Sequence, residues 1–253
     1  MAVPSAASTV SAVQDERPLR VALWGGTGAA GGEVLRQCLA EPRIGEIVAF
    51  TRRPLPGELA SASAGGKHAR VSQVQVDDFL DMSAHRRALR NIDVAYWCLG
   101  ISQLSEPNTQ AYRVITRDFA VAAAQVLHEE SPNVIFHFLS GMGAARNGLS
   151  PVMWGRVKGE AEKALAGVGL RRLVVWRPTF IHAVAGRERP TRGDRMAELL
   201  HLRAIPLLAN TTLNIAHAML HMTFTDDGDD KTYGPWKINQ LAGAYRRAVK
   251  QEP

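Results

Sequence analysis

The sequence predicts an α/β protein: a doubly wound parallel sheet with helices on both faces and a small C-terminal segment capping one end. Three observations carry this. Apolar runs rich in Val, Ile and Phe alternate with longer stretches of helical periodicity. These runs are nearly continuous in apolar residues, as expected of strands covered on both faces. A glycine-rich stretch, "GGTGAAGG" at 25–32, joins the first run directly to the first helical stretch.

Taken in order, strands are expected at 20–25 (RVALWG), 46–51 (EIVAFT), 71–76 (VSQVQV), 93–100 (DVAYWCLG), 134–140 (VIFHFLS) and 171–178 (RRLVVWRP). Helices are expected near 29–41, 83–90, 108–129 and 151–167. The last of these lies in "SPVMWGRVKGEAEKAL", where Ser150 suits the N-cap and Pro151 the first turn. After Pro178 the strand–helix pattern breaks, and "GRERPTRGDR" at 186–195 reads as a charged, turn-rich loop. Helices near 195–203 and 213–222 follow, and we read 179–230 as a cap over the ligand end of the sheet. Residues 1–19 are small and polar, with neither a basic start nor an apolar block. They resemble neither a signal peptide nor a clear transit peptide and read as a disordered tail. Residues 20–253 then form one domain.

Composition narrows the function classes. Of 253 residues, 46% are hydrophobic and 21% charged, an ordinary soluble balance. No apolar run is long enough to span a membrane. The net charge is +6, but the basic residues are scattered in pairs such as Arg86–Arg87 and Arg171–Arg172. A nucleic-acid binder gathers them into a stripe, so no nucleic-acid partner is expected. The two cysteines, Cys38 and Cys98, sit in apolar segments and make neither a disulfide framework nor a metal site. We therefore expect a cytoplasmic protein. His217 and His221 share helical spacing without a third ligand nearby, so no metal is expected.

The glycine stretch carries the chemistry. Gly26-Thr27-Gly28-Ala29-Ala30-Gly31 fits G-x-G-x-x-G, and Gly25, Gly28 and Gly31 equally fit G-x-x-G-x-x-G. At a strand–turn–helix junction this is the pyrophosphate cradle of a dinucleotide-binding Rossmann domain. An NAD site usually places a carboxylate about 20 residues on, to hold the ribose 2′-hydroxyl. Between Glu46 and Glu58 there is none; Arg52 and Arg53 stand at the strand tip instead. Arginine pairs with a phosphate, so NADP(H) is expected over NAD(H). Asp78, just past the third strand, is placed to accept from the adenine amino group. Gly100 after the fourth strand and Pro178 after the sixth would line the cofactor.

At this point the chain resembles a known group. "VALWGGTGAAGGEVLRQCLAEPRIGEIVAFTRRPL", "DVAYWCLG", "FHFLSGMGA", "GRVKGEAEKAL" and "VVWRPTFI" occur in the order of the atypical short-chain dehydrogenases/reductases. The branch that includes Tat-interacting-protein-like oxidoreductases is the nearest in kind. The resemblance runs from about 20 to 182 and returns at "TYGPWKINQLAG", like that family's last strand and helix. It implies a Ser–Tyr–Lys set. The lysine falls on Lys158, which would hold the nicotinamide ribose. The tyrosine position is Trp154, whose indole N–H donates but cannot act as a general acid or base. The serine region, usually Ser-Ser, reads Ser140-Gly141.

Trp154 and Lys158 are four apart and share a helix face. Trp154 then either stacks on nicotinamide or substrate, or fills the space of the phenol. Other donors considered are Tyr112 on the helix after the fourth strand, Ser140, Ser102, Thr179 and His182. The expected function is an NADP(H)-dependent oxidoreductase with a non-standard proton donor, acting on a small organic molecule. A homodimer is an open assembly. The alternatives are a non-redox cyclase or isomerase that keeps NADP(H) as a structural element, and an NADPH-sensing regulatory protein.

Overall fold

The computed structural model describes residues 17–59, 69–103, 105–183, 209–225 and 228–251. Nine strands are present among them: β1 (Leu19–Trp24), β2 (Ile44–Thr51), β3 (Arg70–Gln75), β4 (Val94–Trp97), β5 (Ile135–Leu139), β6 (Arg172–Trp176), β7 (Ile181–His182), β8 (Asn210–Thr211) and β9 (Lys231–Tyr233). Six α-helices accompany them: α1 (Ala29–Ala40), α2 (Thr109–Arg113), α3 (Phe119–Glu130), α4 (Met153–Ala166), α5 (Thr212–Phe224) and α6 (Pro235–Val249).

The main sheet has the order β3-β2-β1-β4-β5-β6-β9, with every pairing parallel. This is the doubly wound fold. Its order reverses between β1 and β4, where such sheets open a crevice for ligands. Alternate residues of each strand feed opposite cores. Val21 and Leu23 face a core shared with α1, α5 and α6. Ala22 and Trp24 face one shared with α3 and α4. That two-sided burial explains the continuous apolar runs.

On the second face Trp24 stacks on Phe50 with centroids 4.7 Å apart and meets Trp97 at 5.1 Å. Both indole N–H groups are buried without a partner. Each such group costs about 1–3 kcal/mol, more than an aromatic pair returns at ~0.5–1.5 kcal/mol. Burial of the ring area must offset the difference. On the first face a fully satisfied polar cluster sits in the core. Trp176 Nε1 donates to His137 Nδ1 at 3.1 Å. His137 Nε2 lies 3.3 Å from Thr223 Oγ1, which also meets the Tyr96 hydroxyl at 2.6 Å and donates to the Met219 carbonyl. At the bottom of that face Tyr245 of α6 donates to Glu41 Oε2 at 2.5 Å, just past α1.

Several elements differ from expectation. The region near 83–90 holds only a 3₁₀ turn, Met82–His85, followed by further turns. The helix expected at 108–129 is interrupted by a π-turn at Val114–Asp118. Its N-cap is Asn108, whose Oδ1 accepts from the Ala111 N–H. The N-cap of α4 is Val152, not Ser150. Ser150 is buried, and its hydroxyl has no partner. Arg156 folds back to donate to the carbonyls of Ser150 and Pro151 at 3.1 and 3.2 Å, holding both outside the helix. β1 begins at Leu19, and Arg17 already forms a bidentate pair with Asp93, so order starts inside the segment read as a tail.

One helix of the segment read as a cap belongs to the core. α5 lies within 179–230, yet it is buried along most of its length and packs on α1 and α6 in the first core. "TLNIAHAMLHMTF" is apolar on too many sides for a cap helix. Its N-cap, Thr211, accepts from the Asn214 N–H. Beside it β7 and β8 form a small parallel ribbon. The helix expected near 195–203, the loop at 186–195 and residues 1–16 lie outside the described residues.

Candidate cofactor and active site

The glycine turn is built against β4. Gly25 has φ +82°, a conformation that side chains resist. A Cβ there would lie 2.7 Å from the Cys98 and Leu99 backbone. One at Gly31 would overlap the Gly25 carbonyl, so α1 approaches the turn as closely as a backbone can. Gly28 caps α1 and donates its N–H to the Gly25 carbonyl at 2.9 Å. The spacing that the structure needs is therefore Gly25, Gly28 and Gly31. A Cβ at Gly26 would meet only leucine side-chain ends, Leu55 Cδ2 first at 3.2 Å, then Leu23 and Leu35. Thr27, Ala29 and Ala30 complete the turn and the first residues of α1. The α1 N-terminus, with its unpaired N–H groups, points out at the switch point.

Arg52 and Arg53 leave the end of β2, beside this turn, and both are exposed. Neither guanidinium has a hydrogen-bond or ion-pair partner among the described residues. Most other arginines near the sheet are spent: Arg20 on Glu46, Arg43 on Glu41, Arg113 on Glu160, Arg177 on Glu162. Asp78 is exposed, and its Oδ1 accepts from the Leu80 N–H at 2.8 Å. Gly100 is exposed with open space where a side chain would be.

At the other side of the crevice, α4 brings Trp154 and Lys158 to the loop after β5. Lys158 Nζ donates to the carbonyls of Leu139 and Ser140 at 3.3 and 3.2 Å. Burial pulls its pKa down to about 8, while the nearby Glu162 acts in the opposite direction. The Trp154 ring lies against two glycines. Its Cζ3 stands 3.3 Å from where a Gly141 Cβ would be, and its Cη2 3.1 Å from that of Gly143. A side chain at either position would press into the indole.

The Ser140 hydroxyl does not enter this arrangement. It donates to Glu162 Oε1 at 2.6 Å, and Glu162 is fully buried. Arg177 holds both oxygens of that carboxylate, with Nη2 at 2.5 Å from Oε2, and Arg146 adds Nε at 3.0 Å. Ser140 thus meets Lys158 through its carbonyl only. Tyr112 is almost fully buried, and burial pushes its phenol pKa up. Pro178 contributes its carbonyl to the Met142 N–H at 2.8 Å, tying the loops after β5 and β6 together. Met142 and Phe180 are exposed large apolar side chains on those loops. His217 bonds Gln37 at 3.1 Å, on the α1–α5 side of the sheet. A groove of about 590 Å³ between α3 and α4, lined by Arg117, His128, Glu160 and Lys163, includes neither the glycine turn nor Lys158.

Sequence reasoning missed the Glu162 cluster, Gly143, Gly155 and the packing role of Gly159. A Cβ on Gly159 would overlap the Ala145 backbone, and one on Gly155 would meet the Gly143 carbonyl at 2.7 Å. The Ala145 N–H also donates to the Gly155 carbonyl at 3.2 Å. The spacing G-x-x-x-G was the available signal for a backbone packed onto this helix.

Solved structures share the fold. Gre2 of Candida albicans in complex with NADPH matches with a TM-score of 0.65 at 16% identity, over 86% of this chain and 78% of that one. A 3-oxoacyl-[acyl-carrier protein] reductase of Brucella melitensis matches with a TM-score of 0.65 at 13% identity, over 87% and 96%. The chain has the doubly wound Rossmann fold of these reductases. The UDP-Glc/GlcNAc 4-epimerase of Campylobacter jejuni shares it, with a TM-score of 0.64 at 13% identity over 92% and 84%. No protein-family model matches the chain. Among curated proteins it is 24% identical over 171 residues to "Protein fmp52-1, mitochondrial" of Aspergillus terreus, covering 67% of this chain and 70% of that one. It is 23% identical over 175 residues to "Protein FMP52, mitochondrial" of Coccidioides immitis, covering 68% and 70%. These names overturn the expectation of a cytoplasmic protein. Two free cysteines separate reducing from oxidising surroundings, and do not choose among reducing ones.

Proposed function

We propose that the chain is an NADP(H)-binding protein of the atypical short-chain dehydrogenase/reductase kind, and an oxidoreductase acting on a small organic substrate. The observation that carries the cofactor is the pair of exposed guanidiniums at the β2 tip, without a partner among the described residues, beside a glycine turn with no carboxylate at that tip. The pyrophosphate fits the Gly25–Gly31 turn at the α1 N-terminus. Arg52 and Arg53 meet the 2′-phosphate, and Asp78 and Gly100 line the adenine side and the middle. Lys158 holds the nicotinamide ribose, with Pro178 beyond it. Bound NADPH supplies a hydride equivalent.

This chain's residues then orient the reacting carbon, but the proton donor that the resemblance implies, a tyrosine, is missing. Trp154 occupies the phenol position and Gly141 that of the second serine, and the Ser140 hydroxyl is committed to Glu162. The proton comes from another donor, with solvent water the simplest. A second reading is favoured by the way Trp154 seats on Gly141 and Gly143: a non-redox catalyst, a cyclase or isomerase, that keeps NADP(H) in place and positions substrate against the indole.

Two measurements test this. NADPH should bind at least about tenfold tighter than NADH, since a charge-assisted pair is worth ~1.5–3 kcal/mol; equal affinities would sink the cofactor assignment. Anaerobic incubation with NADPH and a panel of carbonyl and enone compounds should consume the nicotinamide absorbance. Product without any absorbance change selects the non-redox reading.

A further inference from the structure

The loop that carries Arg52 and Arg53 is an arch with two fixed feet, and one side chain ties it together. Its first foot is Thr51, buried at the end of β2, and its second is Leu55, also buried. Leu55 packs on the glycine turn, with Cδ2 3.2 Å from the position of a Gly26 Cβ. Between the feet, Arg52, Arg53 and Pro54 are exposed. Gln73 of β3, the neighbouring edge strand, spans the arch. Its Nε2 donates to Thr51 Oγ1 at 2.9 Å and to the Arg53 carbonyl at 3.3 Å. Its Oε1 accepts from the Leu55 N–H at 3.1 Å. One carboxamide thus reaches the start, the crown and the end of the loop.

A glutamine suits this task. It carries donors and an acceptor on one rigid plane, without a charge that would repel a phosphate or pair with the arginines. A carboxylate at the same point would neutralise the arch. β3 is the edge strand of the sheet, and the crown of the arch, Arg52 to Pro54, is exposed. Without the carboxamide, the arginines would lose the fixed backbone from which two long, flexible side chains reach a ligand, and the entropy of fixing them would fall on binding.

We propose that Gln73 is a positioning residue for recognition of a ribose 2′-phosphate: it holds the Arg52–Arg53 arch in the geometry that distinguishes NADP(H) from NAD(H). This rests on the NADP(H) reading above. The test uses the full chain loaded with NADPH, with displacement by 2′,5′-ADP or by ADP followed through nicotinamide fluorescence. The readout is the preference between the two nucleotides, which a merely structural residue would not move. The wild type should prefer 2′,5′-ADP by about tenfold or more. Gln73→Met keeps the length and loses all three bonds, and should lower that preference by about fivefold or more. Gln73→Glu keeps the acceptor for Leu55 but adds a negative charge, and should lower it further. If either variant fails to fold, Thr51→Val, which cuts one strut, should lower the preference by a smaller factor. A wild type without preference overturns the NADP(H) reading and this proposal together. A wild-type preference retained by the Gln73 variants, or by Thr51→Val where those do not fold, overturns the positioning role alone.

Discussion

The Lys158 amine has exchanged much of its hydration for the carbonyls of Leu139 and Ser140, and its pKa falls to about 8. Its charge is therefore present below that pH and lost above it. The unfolded chain keeps the ordinary lysine value, so it binds more protons than the fold between about 8 and that value. Stability rises with pH across that window, while the positive charge offered to a cofactor disappears. NADPH affinity should accordingly drop as pH rises through about 8, and Lys158→Met should bind weakly with no such step; titration of nicotinamide fluorescence against pH checks both. Trp154 gives a second expectation at this scale. Gly141→Ser alone should destabilise the protein by about 1–3 kcal/mol, because its side chain enters an indole already 3.3 Å from the Cβ position. Combined with Trp154→Tyr, which removes the larger ring, most of that loss should be recovered in thermal melts. Trp154 and Gly141 then behave as one coupled packing unit.

Between elements, α4 and the loop after β5 meet through backbone. A Gly→Ala change inside a helix normally stabilises by about 0.5–1 kcal/mol. At Gly159 the new methyl would overlap the Ala145 carbonyl, and relieving that overlap costs about 1–3 kcal/mol. Clash wins over propensity: Gly159→Ala should lower the melting temperature, and an unchanged or raised value would mean that this loop is not clamped. The same junction marks where sequence was legible. The six main strands, the glycine turn and α4 announce themselves through local signals, either apolar runs or glycines at a strand end. The Ser-Pro pair at 150–151 carries a local signal too, but Arg156 and the tight packing at Gly155 place it outside the helix. Glu162 and Arg177 are 15 residues apart and each reads as an ordinary surface charge until β6 is laid beside β5. Gln73 reads as a strand residue until its bonds to the β2 loop are seen. Trp154 stands out at the position where the resemblance implies a tyrosine, whereas its glycine seat emerges only from the fold.

For the molecule as a whole, the two-sided sheet makes acid sensitivity a property of the core. His137 is fully buried in the Tyr96–Thr223–Trp176 cluster, and burial depresses its pKa to about 3, with Arg172 adding to the effect. The folded protein cannot take up the proton that the unfolded chain accepts below the ordinary histidine value. Stability contributed by this neutral form is present above that value and is lost progressively as pH falls toward about 3. Urea midpoints should therefore decline from about pH 6.5 downward, and His137→Asn should flatten part of the decline. A midpoint independent of pH between about 6.5 and 4 would show that the cluster opens to water.

The bond from Tyr245 to Glu41 joins residues 204 positions apart, and α5 and α6 supply the cover for the α1 face. A ribosome releases α1 long before that cover exists. Until α6 has been made, Val34, Leu35 and Cys38 remain without all their final neighbours. Nascent chains of this protein should therefore stay bound to a holding chaperone until α6 has emerged from the ribosome, and should remain threadable through a narrow translocation pore for as long as they are held.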